Sequence, residues 1–183
     1  MPLYNIALCP DDPEFAAACV AAAQKQYAAV KHGYVLAPGT ALPHVTLCQF
    51  ESTGVDLEKL WESVRRVAVS HIKLVLNSTY MLLGNNENTG FVWAGIGVVR
   101  SRQLVESQKQ VFNRLGEQGV ASTNDLGEHF WPHLTFARMR EADAVKCGAP
   151  WPKEMLSHEP RDFSLTLGLS DENGVYLKKI FPI

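Results

Sequence analysis

Apolar positions along the chain alternate between short runs of strand length and longer stretches with helical spacing. After the first apolar run, Asp11 and Glu14 stand at capping-box spacing with Pro13 in the first turn, which predicts the start of a helix. Helices are predicted over Pro13 to about Lys31, Val55 to Val69 and Ser101 to Leu115. Strands are predicted over Leu3 to Cys9, His44 to Phe50, Ile72 to Leu83, Gly90 to Val99, Pro132 to Met139, Phe163 to Leu169 and Val175 to Phe181.

Turn residues separate these elements and indicate how the strands connect. Gly84 to Asn88 has the composition of a hairpin loop, and Asp171 to Gly174 predicts a second hairpin near the end of the chain. Tyr34 to Pro43, Ala121 to Glu128 and Pro150 to Pro160 are predicted to be loops or irregular. Strands joined by hairpins with helices interspersed favour an α+β fold with antiparallel sheet, and no linker divides residues 1–183.

Composition narrows the function classes. The chain has 183 residues, of which 46% are hydrophobic and 20% charged, as in ordinary globular proteins. The net charge of −2 provides no general attraction for nucleic acid, so any RNA binding must rest on a local site. Four cysteines without close pairing, no signal-like N-terminus and no apolar stretch long enough to span a bilayer predict a cytoplasmic protein without membrane contact.

A short internal sequence repeat is the strongest indication of the chemistry of this chain. Pro43 to Leu47 reads proline, histidine, apolar, threonine, apolar, and Pro132 to Phe136 repeats that order. Because side chains alternate across a strand, each copy presents one histidine and one threonine to the same face. The functional residues predicted from this repeat are His44, Thr46, His133 and Thr135.

Two imidazoles and two hydroxyls suit the hydrolysis of a phosphodiester. Water must lose a proton as it attacks phosphorus and the departing oxygen must gain one, and imidazole titrates near neutral pH. The threonine hydroxyls can hydrogen-bond the non-bridging oxygens and stabilise developing charge. This chemistry requires neither a metal nor a cofactor. The substrate predicted is a nucleotide or an RNA terminus, and no obligate protein partner is evident.

At these residues the sequence resembles the 2H phosphoesterase superfamily, which is defined by two H-x-T-x motifs and includes 2′-5′ RNA ligase-like proteins and cyclic nucleotide phosphodiesterases. The matching segments are His44 to Leu47 and His133 to Phe136. The resemblance implies one domain of two intertwined lobes, with two antiparallel sheets flanked by helices in pseudo-two-fold arrangement around a central cleft. It also implies activity on 2′,3′-cyclic phosphates or 2′-5′ linkages, with a 2′-phosphate as product.

Other residues are candidates for contacting the substrate. Trp131, two residues before His133, should share its face and could stack on a base, as could Tyr34 and Phe91. Packing is the alternative role for each of these aromatic residues. Arg138 follows Thr135 by three positions, so an ideal strand would direct it to the opposite face, towards a surface or ion-pair role. Direct contact with the phosphate is the alternative if the strand ends or bulges there.

Several alternatives remain open at this point. His129 and His133 have the spacing of zinc ligands on a helix, but Pro132 interrupts that helix, which argues against a metal site. Cys48 shares the predicted face of His44, although an inert core thiol is the favoured interpretation. The motifs also fit an RNA 2′-5′ ligase, a metal-free enzyme acting on a cyclic phosphate in a larger metabolite, or a non-catalytic nucleotide- or RNA-binding module.

Overall fold

Each strand predicted from the sequence is present in the computed structural model, which describes residues 1–84, 88–124, 127–147 and 155–182. The described strands are β1 (Leu3–Pro10), β2 (Gly33–Val35), β3 (Val45–Glu51), β4 (His71–Leu83), β5 (Phe91–Val98), β6 (His133–Arg140), β7 (Ser157–Ser170) and β8 (Tyr176–Phe181). The described helices are α1 (Pro13–Gln26), α2 (Leu57–Arg65), α3 (Arg102–Glu117) and α4 (Glu141–Cys147).

Helix α1 ends earlier than its sequence pattern predicts. Its start is capped as expected, because the side chain of Asp12 accepts a hydrogen bond from the backbone N–H of Glu14. The predicted end was near Lys31, but the Asp143 carboxylate accepts hydrogen bonds from the backbone N–H groups of Lys31 and His32. These tertiary contacts hold the chain out of the helix and direct it into β2, which pairs with β6.

Two further elements were not predicted and one was misplaced. β2 lies in a segment predicted to be a loop, and α4 follows β6 directly. β7 begins at Ser157, inside the segment predicted to be irregular, because its first residues pair with β4. Short elements of this kind carry little periodicity of their own and depend on their pairing partners. Parts of the predicted loops, at 85–87, 125–126 and 150–154, lie outside the described residues.

The strands form one antiparallel network of two groups. β3, β1, the second half of β7 and β8 make one group, and β2, β6, β5, β4 and the first half of β7 make the other. The groups are joined by the 14-residue strand β7 and by the pairing of Val45 with Leu134. The predicted α+β class with antiparallel strands is confirmed. In place of two separate sheets, the hydrogen bonds connect all eight described strands into one sheet.

Matching bulges interrupt β3 and β6 just after the motif threonines. Thr46 pairs with Ala7 and Cys48 with Ile6, so Leu47 is an extra residue in β3. Phe136 is the extra residue in β6, since its two neighbours pair with consecutive residues of β5. A bulge bends the strand and redirects the side chains that follow it. The alternation of faces is therefore reset after each H-x-T motif.

The core lies on the side of the sheet opposite the motif histidines. The intervening motif residues Val45, Leu47, Leu134 and Phe136 have no exposed surface, as their alternation predicted. Helices contribute apolar side chains to the same core, including Cys19 of α1, Trp61 of α2 and Val111 of α3. Because both motifs anchor their apolar residues in this core, the backbone of the motifs is fixed from behind.

The cysteines are packing residues. Cys9, Cys19 and Cys48 are buried and Cys147 is partly buried, all as free thiols. Burial raises the pKa of Cys19 and of Cys48 to about 12, so both stay protonated at neutral pH. This agrees with the core role predicted for Cys48.

Among the described helices, none has both the length and the apolar character needed to cross a membrane.

A glycine in β5 allows Tyr80 to pack across the sheet. A Cβ atom at Gly95 would overlap the Leu134 carbonyl oxygen and would lie 2.9 Å from the Tyr80 hydroxyl. We expect Gly95→Ala to lower the free energy of unfolding by about 1–3 kcal/mol, as overpacking does. Gly116→Ala in α3 is the matched control, since no atom lies within 4 Å of the added Cβ. Urea denaturation of both variants tests this, and equal stability of the two would contradict it.

Candidate active site

The two H-x-T motifs lie on adjacent antiparallel strands. Val45 of β3 pairs with Leu134 of β6, and the antiparallel register then places His44 opposite Thr135 and Thr46 opposite His133. Val45 and Leu134 point into the core, so the four polar side chains share the other face. The structure thus brings together all four residues that the sequence repeat predicts to be functional. The histidines occupy one diagonal of this square and the threonines the other.

Both imidazoles are held in the same way by the backbone. Nδ1 of His44 lies 2.8 Å from the carbonyl oxygen of Leu42, and Nδ1 of His133 lies 2.8 Å from that of Trp131. A carbonyl oxygen only accepts, so Nδ1 carries the proton in each ring. Nε2 is then the unprotonated nitrogen of the neutral ring, available to take a proton from a bound molecule.

Burial keeps both histidines neutral at pH 7. It lowers the pKa of His44 to about 4, while the hydrogen bond to Leu42 partly opposes the shift. Burial also lowers the pKa of His133, and the hydrogen bond to Trp131 again acts in the opposite direction. Each ring can therefore act as a base in the empty site, whereas an acid requires a proton stabilised by a bound anion.

Each motif threonine has a polar partner behind it. Nδ2 of the fully buried Asn5 donates to Oγ1 of Thr46 at 2.9 Å, which leaves the threonine proton free to donate elsewhere. Oγ1 of Thr135 lies 2.8 Å from the Tyr80 hydroxyl. Burial raises the pKa of Tyr80 well above its usual value, so this phenol stays neutral. Both threonine hydroxyls are thereby held in place by uncharged groups.

Aromatic rings support the two imidazoles from the sides. The rings of His44 and Tyr176 lie 4.9 Å apart between centroids. His133 stacks on Trp131 at 4.8 Å and meets the edge of Tyr80 at 5.4 Å. These contacts restrict ring rotation and exclude water from one side of each histidine.

The four motif residues open into a cavity of about 540 Å³. Trp131 lines this cavity and is 43% exposed although it stacks on His133, and Tyr34 also lines the cavity. Burial raises the pKa of Tyr34, while a hydrogen bond with Thr135 partly opposes that shift. Phe91, the third aromatic candidate, lies outside this cavity and lines a neighbouring one. The remaining walls include Leu3, Gln49, Glu51, Asn88, Trp93, Thr123, Asn124, Phe130, Glu172, Asn173 and Gly174.

Arg138 differs from its sequence-based prediction. It is only 7% exposed, and its guanidinium lies over the ring of Phe91. The bulge at Phe136 explains the error, because the extra residue returns Arg138 to the face of Thr135. Gln49 stands at the same position after the first motif and lines the cavity by the same bulge.

Sequence reasoning also missed Asn5, Tyr80 and Tyr176, which contact the motif residues. They lie on other strands, far along the chain, and no local pattern marks them: Asn5 and Thr46 are 41 positions apart, and Tyr80 and Thr135 are 55 apart. The register of β1 with β3 brings Asn5 to the site, that of β4 with β5 brings Tyr80, and that of β7 with β8 brings Tyr176.

The described residues contain no group of three or more His, Cys, Asp or Glu side chains arranged to hold a metal ion. His129 lies in the short 3₁₀ turn Gly127–His129, whereas His133 begins β6. The two histidines with zinc-like spacing are therefore not neighbours on one helix, in agreement with the effect predicted for Pro132.

Several solved structures have a fold similar to that of this chain. The chain matches no protein-family model and no curated protein. Among solved structures it is similar to TT0787 of Thermus thermophilus, at 16% identity and TM-score 0.59 over 100% of this chain and 97% of that chain. It is also similar to E. coli LigT in apo form, at 18% identity and TM-score 0.58 over 100% and 95%, and complexed with 3′-AMP, at 17% identity and TM-score 0.55 over 100% and 95%. The MHV ns2 PDE domain aligns at 14% identity and TM-score 0.53 over 99% and 100%.

At these identities the likeness shows a shared fold. The α+β fold implied by the resemblance to 2H phosphoesterases is therefore confirmed, and the bilobal cleft stays a prediction.

The low pKa of His44 has a measurable effect on stability. An unfolded histidine has a pKa near 6.5 and folded His44 one of about 4, so the unfolded chain binds more protons between these values. We expect the free energy of unfolding to fall as pH drops from about 6.5 towards 4, and to fall less in His44→Gln. Denaturation at several pH values, with NMR titration of the imidazoles, measures both effects. A His44 ring that titrates near 6.5 would refute the shift.

Proposed function

We propose that the chain is a phosphodiesterase of the 2H type, acting as one domain on 2′,3′-cyclic phosphates or 2′-5′ linkages at RNA ends or in small nucleotides. The proposed product is a 2′-phosphate, and the proposed reaction requires no metal. The observation that carries this proposal is the square of His44, Thr46, His133 and Thr135 created by the Val45–Leu134 pairing.

The diagonal placement of the imidazoles suits displacement at phosphorus. The attacking water and the departing oxygen lie on opposite sides of the phosphorus atom in an in-line reaction. A phosphate at the centre of the square would have His44 on one side and His133 on the other. One Nε2 would take the proton of water, and the other ring, protonated at Nε2, would donate to the leaving ribose oxygen. The local two-fold relation lets either histidine serve as base, so the orientation of the substrate assigns the roles.

The threonines complete the site along the other diagonal. Thr46 has its proton free because Asn5 donates to its oxygen, and it can donate to a non-bridging oxygen. Thr135 can do the same when the Tyr80 hydroxyl is its donor. Donors already oriented before reaction stabilise developing charge without reorganisation.

The substrate's own charge supplies the missing proton. Both histidines are neutral in the empty site, yet the mechanism requires one imidazolium. An anionic phosphodiester between the rings favours the charged form of a ring and raises its pKa. Binding of substrate and uptake of a proton are therefore coupled in this proposal.

The comparisons support a nucleotide ligand. E. coli LigT, which shares this fold, has been solved with 3′-AMP bound. The 540 Å³ cavity lies in the usual size range of small-molecule sites. Trp131, half exposed at its rim, offers a face on which a base could stack. A cytoplasmic location and the lack of an obligate protein partner stay predictions.

Loss of either histidine tests the mechanism. With the four nucleoside 2′,3′-cyclic monophosphates and excess chelator, we expect His44→Ala and His133→Ala each to lose about 10²- to 10⁴-fold in kcat. The double variant should be little worse than either single one, since the two residues act as a unit. His158→Ala is the matched control, because this exposed histidine lies on β7 outside the cavity.

The same assay separates the alternatives. Turnover abolished by chelator would contradict the metal-free mechanism, and binding without turnover of these or of 2′-5′ linked dinucleotides would identify a non-catalytic module. Joining of RNA ends in place of hydrolysis would identify a ligase. The position of the phosphate on the product, read by chromatography, shows which ribose oxygen leaves.

The pH dependence follows from the two lowered pKa values. One ring must be neutral and the other protonated, so kcat/KM should follow a bell with both limbs below the ordinary histidine value of about 6.5. The bell for kcat should lie at higher pH, because the bound anion raises the pKa of the rings. Steady-state rates from pH 4 to 9 measure both profiles. Coincident profiles, or a flat kcat/KM, would contradict this assignment.

A further inference from the structure

A second cavity lies beside the catalytic one and is lined by two arginines. Its volume is about 300 Å³, and its walls include Arg138, Arg140 and Phe91. Tyr34 and Asn173 line both cavities, so the two spaces share a wall. None of the charged residues that line this second cavity belongs to the two H-x-T motifs.

Among the residues that the structure describes, the buried guanidinium of Arg138 forms no ion pair with a carboxylate. Arg138 is 93% shielded from solvent, and its guanidinium carbon lies 3.6 Å from the centroid of Phe91 and 5.1 Å from that of Trp93. Its Nη2 donates to the neutral side-chain oxygen of Asn88 at 3.1 Å, and within the described part of the chain its buried Nε has no hydrogen-bond partner. Leaving a buried guanidinium donor unpaired is costly unless a ligand completes it.

Arg140 adds a second positive charge at the same ring. Its guanidinium carbon lies 3.9 Å from the centroid of Phe91, and its side chain is exposed. In the part of the chain that the structure describes, neither arginine forms an ion pair. Burial is the largest cause that lowers the pKa of Arg138, and the charge of Arg140 acts in the same direction, while Tyr34 and Asp171 oppose the shift.

The carboxylate in this cavity is already engaged. Oδ1 of Asp171 accepts hydrogen bonds from the backbone N–H groups of Asn173 and Val175, both at 2.9 Å, and so closes the turn between β7 and β8. The cavity also contains His32, whose ring lies 3.7 Å from the Asp143 carboxylate. Two guanidinium groups against one carboxylate leave the cavity with net positive charge.

We propose that this cavity binds a second phosphoryl group of the substrate, carried on the 5′ oxygen of the nucleotide whose 2′,3′-phosphate lies between the histidines. The proposal rests on the proposed function. Guanidinium groups present planar pairs of N–H donors that match phosphate oxygens. A 5′-phosphoryl group is either the monoester of a mononucleotide or the diester that links an RNA end to the preceding nucleotide.

The spacing along β6 fits two phosphates of one molecule. Thr135 pairs with Gly95 and Arg138 with Trp93, only two residues further along β5, so the bulge leaves them about 7 Å apart along the strand at ordinary strand rise. The bulge at Phe136 directs both side chains to the same face of the sheet. The guanidinium of Arg138 lies over Phe91 in the second cavity, and that cavity shares the wall of Tyr34 and Asn173 with the first. One nucleoside can therefore extend from the histidines into the second cavity.

Binding of product-like nucleotides tests the subsite without requiring turnover. We expect adenosine 2′,5′-bisphosphate to bind about tenfold more tightly than adenosine 2′-monophosphate, as one charge-assisted contact provides. Arg140→Gln should abolish this ratio. Arg102→Gln, which removes an exposed arginine on α3 outside both cavities, should keep it. Isothermal titration calorimetry at fixed ionic strength measures all six affinities.

Equal affinities of the wild type for the bisphosphate and the monophosphate would overturn the subsite. Equal loss of the affinity ratio in both variants would overturn it too, because the preference would then depend on the net charge of the protein and not on this cavity. If the bisphosphate is preferred but no cyclic phosphate or 2′-5′ linkage is hydrolysed, the proposed function fails and the subsite stands.

Kinetics then identify the source of the 5′-phosphoryl group. Three substrates are compared: a nucleoside 2′,3′-cyclic phosphate, the same compound with a 5′-phosphate, and a dinucleotide whose 3′-terminal nucleoside carries the 2′,3′-cyclic phosphate. The wild type should have a higher kcat/KM for the second or the third substrate than for the first. Preference for the 5′-phosphorylated mononucleotide supports a mononucleotide substrate, and preference for the dinucleotide supports an RNA end. Equal kcat/KM for all three would overturn the proposal.

Discussion

The pairing of Val45 with Leu134 is the contact on which the site depends. It is the one point in the described residues where β3 meets β6, and it sets the positions of both motifs relative to each other. A slip of one residue would place an imidazole opposite an apolar side chain and would bury the other polar residues of the motif. The apolar residues between the histidine and threonine of each motif are therefore as important for the geometry as the polar ones. Their burial in a common core fixes the register, and the register fixes the site.

The local environment also determines the chemistry of the imidazoles. Burial disfavours the charged ring, and the carbonyl oxygens of Leu42 and Trp131 select one tautomer. The same burial that weakens the histidines as cations strengthens their interaction with a bound anion, because few waters compete with it. An empty site with two neutral rings and a filled site with one imidazolium are thus two protonation states of one rigid arrangement.

The sequence was sufficient for the longer strands, for the α+β class and for the shared face of histidine and threonine within each motif, because each of these is a local pattern. His44 and Thr46 are two positions apart, and so are His133 and Thr135, so strand alternation alone predicts their shared face. The sequence was insufficient for Arg138, because a bulge is a property of two paired strands and not of one. Asn5 and Tyr80 were missed for a related reason, since their contacts depend on registers between distant segments. The short elements β2 and α4 likewise depend on tertiary contacts such as those of Asp143.

The shared strand β7 also has a consequence for the order in which the chain can fold. Its second half pairs with β1, so that Ala7 and Thr166, which are 159 positions apart, are hydrogen-bonded neighbours. Its first half completes the other strand group beside β4. During synthesis from the N-terminus, β1 can pair early with β3 but must wait for β7, its partner on the other side, and loop closure over such a distance slows folding. Synthesis must therefore pass β7 before either half of the sheet can be finished.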